Sequence, residues 1–268
     1  MTFRILPGSI LNIATYPFVP PTTFSGFLRR LGILSGNLEL PETRINKNNP
    51  PIYALPPRYI PVGAYPVSHK WSGVHRTYRK GMREFNHDFF SRLYVEGNKA
   101  NFQLHTWEYF IAEELVGYVV AESREGLAAF QNLKGYGCKL GKEGYGVVTE
   151  ISEEAIALTR QTVTAYPSAI VPIEALMQSM EAVMQGGEFM GGCDIYNLYR
   201  YHWEPTAFTT SDEEGFVDLN PTPISGFVPF VAAYFTPEAA EPTLEYYTNG
   251  EIYIPVSLVN LLNGEVYA

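Results

Sequence analysis

The alternation of apolar and polar residues near the start of the chain predicts a strand, a proline break and a short helix. The stretch TYPFVPPTTFSGFLRRLG, residues 15–32, begins with a strand-like run and then reaches Pro20 and Pro21. Proline lacks the N–H that a strand ladder needs and restricts the residue before it, so these two prolines end the strand. A helix is expected directly afterwards, with Thr22 or Thr23 as its N-cap.

The predicted helix has one apolar face. On helical spacing Arg29 lies well off this face, where it is expected to contact a ligand or a partner. Arg30 lies nearer the border of the face, and its stem is expected to pack partly on the domain. The face itself comes from four residues at the spacing i, i+3, i+4 and i+7, which are Phe24, Phe27, Leu28 and Leu31.

Further along the chain, strands and helices are intermixed. The alternating stretch NFQLHTWEYFIA and the apolar stretches GYVVAE and GFVPFVAAYF predict strands, as does EIYIPVSLVNLL near the end. The stretch KGYGCKLGKEGYG predicts a glycine-rich loop that leads into a strand. There is no regular alternation of strand and helix, which favours an α+β fold over a doubly wound one.

The composition predicts a soluble cytoplasmic protein. No apolar run approaches the roughly 18 residues of a membrane span, and the first residues lack the apolar core of a signal peptide. The two cysteines, Cys138 and Cys193, stand far apart and have no metal-ligand spacing. A reducing compartment is therefore expected, with neither a metal site nor a membrane partner.

The charge is distributed unevenly along the chain. Residues 1–100 contain 13 Lys and Arg against 5 Asp and Glu, a net charge of +8. Residues 101–268 contain 6 against 23, a net charge of −17. Such asymmetry indicates a basic surface for a polyanion joined to an acidic part that contacts protein or faces solvent, although a drift of solvated surface charge also accounts for it.

The motifs of several enzyme classes are missing from the sequence. Neither of the glycine-rich stretches GLAAFQNLKGYG and QGGEFMGGCD has the Lys-Ser/Thr ending of a phosphate-binding P-loop. Glu84 and His87 form a single E-x-x-H, whereas a di-iron site needs two. No zinc-protease, serine-hydrolase or paired C-x-x-C motif occurs. The sequence therefore predicts no cofactor and no catalytic residue.

The most basic stretch, residues 69–83, interleaves cations with aromatic side chains. Cations follow phosphates and aromatic rings stack on unpaired bases, so the combination is typical of proteins that bind single-stranded nucleic acid. The alternative is a solvated loop that a tryptophan anchors to the core. The candidate RNA-binding residues here are Lys70, Trp71, His75, Arg76, Tyr78, Arg79, Lys80 and Arg83.

Two further segments are candidates for phosphate contacts. The glycine-rich stretch carries Lys134, Lys139 and Lys142 where backbone can approach a phosphate closely, although a tight hairpin with solubilising lysines is equally consistent. The start of the predicted helix has free amides that suit an anion. The candidate residues on this helix are Thr22, Thr23, Ser25 and Arg29.

Two stretches of the chain resemble one known family. TYPFVPPTTFSGFLRRLG is similar to a first strand followed by Tyr-Pro, Pro-Pro-Ser/Thr and a Gly-x-Leu helix. SREGLAAFQNLKGYGCKLGKEGYGVVTEI is similar to a helix followed by a Leu-Gly-Lys turn and a strand. Together they resemble the Cas five family, the CRISPR-associated subunit that holds the five-prime handle of the guide RNA in type I Cascade complexes. The resemblance covers residues 3–32 and about 105–151.

The resemblance implies a ferredoxin-like fold of the RAMP superfamily, related to the RRM. It implies an N-terminal domain over residues 1–160 with an inserted thumb hairpin at about 69–105. A smaller C-terminal part would cover residues 161–268. In one subtype the family member is a guide-processing ribonuclease, but FSGFLRRLG lacks that subtype's arginine-containing helix pattern. Binding without cleavage is therefore what the resemblance implies.

The implied function is that of a non-catalytic, RNA-binding structural subunit in antiviral defence, which caps the guide RNA at its five-prime handle. The implied partners are the guide RNA, the backbone filament subunit and the large subunit, and target DNA is met only indirectly.

Two other hypotheses remain. The first is a metal-independent endoribonuclease that cuts CRISPR repeat RNA with His75, Tyr78 or Lys80. The second is a protein-interaction module without nucleic acid, which the basic first half makes less attractive.

Overall fold

The computed structural model describes residues 12–38, 55, 58–82, 102–141, 144–177, 192–203 and 224–264. Over these residues the chain has a mixed α+β fold that is rich in strands and has few helices. The elements in chain order are β1 (Asn12–Ile13), α1 (Pro21–Leu34), β2 (Ile60–Pro66), β3 (Ser72–Met82), β4 (Phe102–Ala112), β5 (Leu115–Val120), a 3-10 helix (Glu125–Phe130), β6 (Gly137–Leu140), β7 (Gly144–Val147), β8 (Thr159–Thr164), β9 (Val171–Pro172), β10 (Cys193–Trp203), β11 (Ile224–Phe235), β12 (Thr243–Thr248), β13 (Tyr253–Pro255) and α2 (Val256–Asn263).

The described strands form small sheets that are mostly antiparallel. Three sheets have three strands each, in the orders β1-β4-β3, β10-β11-β9 and β13-β12-β8. Two more are the pairs β2-β5 and β6-β7. The pairing of β1 with β4 is parallel, and the other named pairs are antiparallel.

Helix α1 begins at Pro21, with Pro20 as its N-cap residue and without a side-chain cap. The expectation that Thr22 or Thr23 caps the helix is therefore wrong, because both lie inside its first turn. Proline is well suited to the first helical position, since its fixed φ matches the helix and its missing N–H would have no partner there. The Pro20 carbonyl accepts the first helical bond, from the N–H of Phe24 at 2.9 Å.

Helix α1 is buried on a wider face than its apolar stripe predicts. All four residues of the predicted stripe are buried, and so is a second row beside it formed by Ser25, Arg29 and Gly32. The helix contacts β2, β6 and β10, so neighbouring elements cover both rows. Arg29 is only 5 % exposed, whereas Arg30 is exposed. The predicted placement of these two arginines is therefore wrong.

An aromatic cluster joins distant parts of the chain. The fully buried ring of Phe18 lies 5.2–5.6 Å, centroid to centroid, from the rings of Tyr16, Tyr65, Tyr196 and Tyr234. These rings come from the segment before α1 and from β2, β10 and β11. The largest buried cluster accordingly combines residues from both sides of residue 160.

The last described segment is a helix where the sequence predicts a strand. Only Tyr253–Pro255 is extended, and α2 follows at once with Pro255 as its N-cap residue. Leu258 and Val259 are buried, and Gly264 ends the helix at φ 86. A short, mainly apolar run fits a strand or a buried helix equally well, so the pattern of this stretch did not decide between them. None of the described helices is long and apolar enough to cross a membrane.

Candidate nucleic-acid interface

Strands β3 and β4 form a long hairpin at the position of the most basic stretch. Their register runs from the pair Ser72–Ala112 to the pair Met82–Phe102, so that each strand has 11 paired residues. β4 also pairs with β1, so β3 is an edge strand of this sheet as far as the described residues show. Because side chains alternate between the two faces of a strand, the register fixes which residues share a face.

One face of the hairpin carries aromatic side chains. His75 lies opposite Tyr109 and Thr77 lies opposite Trp107, so all four residues share this face. The rings of Trp107 and Tyr109 are 6.3 Å apart at an angle of 23°. Trp71 is 63 % exposed. We call the set Trp71, His75, Trp107 and Tyr109 the aromatic face.

The position of the Trp71 ring beside Gly73 shows that Trp71 lies on the same face. The Cζ2 atom of Trp71 lies 3.6 Å from the position that a Cβ on Gly73 would take. Gly73 has the same parity as His75 along β3, so its missing side chain would point to the aromatic face. The indole therefore extends this face toward the base of the hairpin.

The opposite face contains a buried carboxylate. Glu108 is 8 % exposed and lies opposite Arg76. Its Oε1 accepts hydrogen bonds from Nε and Nη2 of Arg76 at 3.0 and 2.6 Å, and its Oε2 accepts one from the backbone N–H of Thr15 at 3.2 Å. The carboxylate raises the pKa of the Arg76 guanidinium. The charge of Arg76 is thus balanced within the protein.

The charge of Lys70 is also balanced by acidic neighbours. Its Nζ lies 3.3 Å from Oε1 of Glu113 and 3.8 Å from Oε2 of Glu114. These two glutamates connect β4 to β5. Two cations of the basic stretch, Arg76 and Lys70, therefore contact carboxylates, and a phosphate would have to compete with those carboxylates.

The residues proposed for ribonuclease chemistry are not all on one face. His75 and Tyr78 differ in parity along β3, so they lie on opposite faces of the hairpin. Tyr78 is 67 % exposed. Arg79 and Lys80 contribute backbone to β3 opposite His105 and Leu104. Arg83 and Lys142 lie outside the described residues.

The start of α1 is anchored to its neighbours. Thr22 and Thr23 are half-buried, and the Tyr201 hydroxyl donates to the Thr22 carbonyl at 3.1 Å. Ser25 is 1 % exposed, and its hydroxyl accepts the N–H of Leu55 at 2.8 Å. Burial raises the pKa of Tyr201 to about 12. Ser25 therefore connects the backbone of Leu55 to the helix.

Arg29 lies inside the protein, where its burial lowers the pKa of the guanidinium. The exposed cation on α1 is the neighbouring Arg30. The sequence-based choice of Arg29 as the surface residue fails because the row of α1 that holds Ser25, Arg29 and Gly32 is buried as well.

The glycine-rich stretch forms the hairpin β6–β7. Lys134 and Lys139 are exposed, and Lys139 lies opposite Tyr145. Gly135 and Gly141 have φ angles of +84° and +68°, which glycine adopts without strain. β6 packs on α1, but neither element contacts the β3–β4 hairpin beyond isolated contacts in the described part of the chain. The candidate segments therefore lie on separate elements.

Sequence reasoning missed the two central residues of the aromatic face. Trp107 and Tyr109 belong to the stretch NFQLHTWEYFIA, whose alternation predicted a strand. That alternation already placed both rings on one face, but only the register of β4 against β3 shows that His75 shares it.

Within the described ranges, no group of three His, Cys, Asp or Glu residues forms a possible metal site. Comparison with known proteins found no matching family model, no matching curated protein and no matching solved structure.

Proposed function

We propose that this chain is a non-catalytic RNA-binding structural subunit of a type I CRISPR surveillance complex and caps the five-prime handle of the guide RNA. In this proposal the fold is a ferredoxin-like variant with domains at 1–160 and 161–268, and the β3–β4 hairpin is its thumb. The sequence resemblance at residues 15–32 supports the proposal, as does the β3–β4 hairpin, which spans residues 72–112 and so overlaps the region 69–105.

The single observation that carries the proposal is the aromatic face. RNA-binding sheets commonly stack unpaired bases on exposed aromatic side chains. Such stacking contributes about 1–3 kcal/mol per base and tolerates any base. Trp107 and Tyr109 stand two residues apart with rings 6.3 Å apart, and Trp71 offers a third ring at the edge. Trp71 is exposed, whereas Trp107 and Tyr109 are half-buried. In this proposal two or three consecutive unpaired bases stack on this face.

The ion pairs change which interaction is expected to contribute most to RNA binding, stacking or phosphate contacts. Because Glu108 and the pair Glu113–Glu114 neutralise Arg76 and Lys70, these two cations contribute little to phosphate binding. We therefore propose that stacking dominates affinity at the hairpin. Lys134 and Lys139 are exposed, and we propose that they contact phosphates. Phosphate contacts are also proposed for Arg79, Lys80, Arg83 and Lys142.

The proposed partners follow from the family that the sequence resembles. They are the guide RNA, the backbone filament subunit and the large subunit, with target DNA met only through the guide. The proposed compartment is the cytoplasm, where such complexes assemble.

The direct test compares single-stranded and double-stranded RNA. The full chain is titrated into a fluorescently labelled, unstructured RNA of about eight nucleotides and into the same sequence as a duplex, with anisotropy as the readout. Stacking requires unpaired bases, so we expect at least about tenfold tighter binding of the single strand. Equal affinities would contradict the proposal, as would failure to retain guide RNA in the assembled complex.

The same protein preparation tests for cleavage. Repeat RNA is incubated with excess protein in chelator and analysed on a denaturing gel, and we expect it to stay intact. Site-specific scission that disappears in His75→Ala would favour the endoribonuclease instead.

A further inference from the structure

A small cleft lies where α1 begins, between the first turn of this helix, the start of β2 and the last residues of β10. Its volume is about 30 Å³, whereas sites for whole organic ligands have roughly 300–1,000 Å³. The cleft therefore has room for a small ion or for one terminal group of a larger molecule. Its lining includes Pro21, Thr22, Tyr59, Arg200 and Leu262.

Arg200 brings a buried charge to this cleft. The residue is 9 % exposed and shares the core-facing side of β10 with the buried Leu198. Its Nη1 donates to the carbonyl of Tyr201 at 3.3 Å and lies 3.9 Å from the position that a Cβ on Gly264 would take. Among the described residues, its buried Nε has no hydrogen-bond partner, and no carboxylate forms an ion pair with Arg200.

A buried guanidinium without an anion is costly, because it has lost the solvation of water and gained no opposite charge. The carbonyl of Tyr201 and the backbone at Gly264 supply no charge of their own. A guanidinium has five N–H donors in a planar fork, which suits the oxygens of an oxyanion. An anion in the cleft would therefore supply both the missing charge and the missing acceptors of Arg200.

The first turn of α1 presents further donors at the same cleft. The first N–H groups of a helix have no partner within the helix, and the N-cap residue Pro20 provides no side-chain cap. Thr22 and Thr23 carry these N–H groups, because Pro21 has none. The positive end of the helix dipole favours an anion here, and the first turn contains no acidic residue.

The surroundings of the cleft are positive. A second cation, Arg58, has its guanidinium carbon 4.9 Å from the centre of the Tyr59 ring, which lines the cleft. None of the described lining residues is Asp or Glu. The Tyr201 hydroxyl donates to the Thr22 carbonyl at 3.1 Å, so β10 and the first turn of α1 are joined without a ligand. The donors of the two elements are therefore held beside each other before an anion binds.

We propose that this cleft binds a phosphate group, either as inorganic phosphate or as the terminal phosphate of a nucleotide. Its oxygens accept hydrogen bonds from the guanidinium of Arg200 and from the N–H groups of Thr22 and Thr23. Phosphate is favoured over a carboxylate because its tetrahedral oxygens can meet donors from two separate elements, whereas the two oxygens of a carboxylate lie in one plane. The inference does not depend on RNA binding by the hairpin.

The test titrates the full chain with four probes in a calorimeter at constant ionic strength. The probes are inorganic phosphate, uridine 5′-monophosphate, uridine and acetate. We expect the two phosphate-containing probes to bind and the other two not to bind. The melting temperature is expected to rise with phosphate concentration, because a ligand that binds only the folded state stabilises it. Tighter binding of the nucleotide would identify a nucleotide as the source of the phosphate, and equal binding would identify the phosphate group alone.

Arg200→Met keeps an apolar stem and removes the charge. It is expected to weaken phosphate binding by at least about tenfold, because hydrogen bonds to a charged donor are lost. Without phosphate its melting temperature is expected to equal or exceed that of the unsubstituted protein, since an unpaired buried charge is gone. Arg124→Met is the matched control, because it removes the same charge from an exposed ion pair with Glu154 and is expected to leave phosphate binding unchanged.

A second variant leaves Arg200 in place. Thr22→Asp puts a carboxylate at the start of α1, where the helix dipole and Arg200 favour a negative charge. The variant is expected to weaken phosphate binding by at least about tenfold, because its carboxylate takes the place of the anion. Thr149→Asp adds the same charge at an exposed threonine outside the cleft and is expected to have no effect on phosphate binding.

Three results would overturn the proposal. Binding of uridine as tightly as its monophosphate would assign the signal to ring stacking. Binding of acetate as tightly as inorganic phosphate would show that the cleft does not select a phosphate group. Unchanged phosphate affinity in Thr22→Asp, or in a folded Arg200→Met, would place the phosphate elsewhere on the protein.

Discussion

Arg76 and Glu108 lie directly opposite each other on β3 and β4, with Nη2 of the arginine 2.6 Å from Oε1 of the glutamate. The same carboxylate accepts the N–H of Thr15, which lies 93 residues away in sequence. Glu108 is buried, whereas the Arg76 side chain is 62 % exposed. The carboxylate therefore connects the hairpin to the segment that enters α1, and Arg76 covers it from solvent.

Glu108→Ala is expected to destabilise the protein. The substitution takes away the acceptor that Oε2 provides for the buried N–H of Thr15, and loss of a buried hydrogen-bond partner costs about 1–3 kcal/mol. Thermal unfolding measures the loss. Glu113→Ala is the control, because Glu113 forms an exposed ion pair, which contributes at most about 1 kcal/mol. Equal effects of the two substitutions would show that the buried carboxylate has no special role.

Trp107→Ala and Tyr109→Ala are each expected to weaken single-stranded RNA binding by about 1–3 kcal/mol, the usual contribution of one stacked base. Tyr78→Ala is the matched control, because Tyr78 is exposed on the opposite face of the same hairpin. Anisotropy titrations give the affinities, and circular dichroism confirms that each variant is folded. A loss of affinity in Tyr78→Ala as large as in the other two variants would contradict RNA binding at the aromatic face.

The salt dependence of RNA binding is expected to show that Lys139 contacts a phosphate and that Lys70 does not. Each phosphate contact on a single strand contributes a slope of about −0.7 to log affinity against log salt. Lys139→Ala is therefore expected to make the slope shallower by a little under one unit, since Lys139 is exposed. Lys70→Ala is expected to leave it unchanged, because Lys70 already contacts Glu113 and Glu114. The opposite result would show that phosphate displaces the carboxylates.

Substitutions of Arg29 and Arg30 are expected to differ in their effect on the stability of the protein and not in their effect on ligand binding. Arg29→Ala removes a buried side chain from between α1 and its neighbours, which typically costs about 1–3 kcal/mol. Arg30→Ala changes an exposed residue and is expected to leave the melting temperature within experimental error. Differential scanning calorimetry of both variants tests the difference. A stable Arg29→Ala that loses guide RNA would restore the surface role expected from the sequence.

Alkaline pH is expected to destabilise the fold through its buried tyrosines. Burial raises the pKa of Tyr16, Tyr166 and Tyr201 to about 12, from an ordinary value of 10.0. The unfolded chain therefore releases these protons at lower pH than the folded chain does. The stability that results is complete below pH 10 and is lost as the pH rises toward 12.

Urea unfolding across a pH series of about 8 to 11, followed by near-ultraviolet circular dichroism and absorbance at the tyrosinate band, measures this loss. Tyr166→Phe removes one of the titrating groups and is expected to flatten the decline. Ionisation of these tyrosines while the near-ultraviolet signal remains native would contradict the assignment.

The sequence by itself determined most of the local structure. Pro20 and Pro21 separate an extended segment from α1, because proline breaks a strand but begins a helix well. The alternation in residues 101–112 and the apolar run at 226–235 specify β4 and β11, since their side-chain periods match a strand. Local sterics and the side-chain period set these features, and no distant contact is needed.

Only the tertiary structure decided which residues are available for a ligand. The i, i+3, i+4 spacing of α1 places four apolar side chains on one face, but it does not show that Arg29, beside that face, is buried as well. The basic stretch around Arg76 gives no sign of Glu108, which is 32 residues away and becomes its partner only through strand register. Burial and charge pairing depend on contacts between residues far apart in sequence, so local pattern cannot fix them.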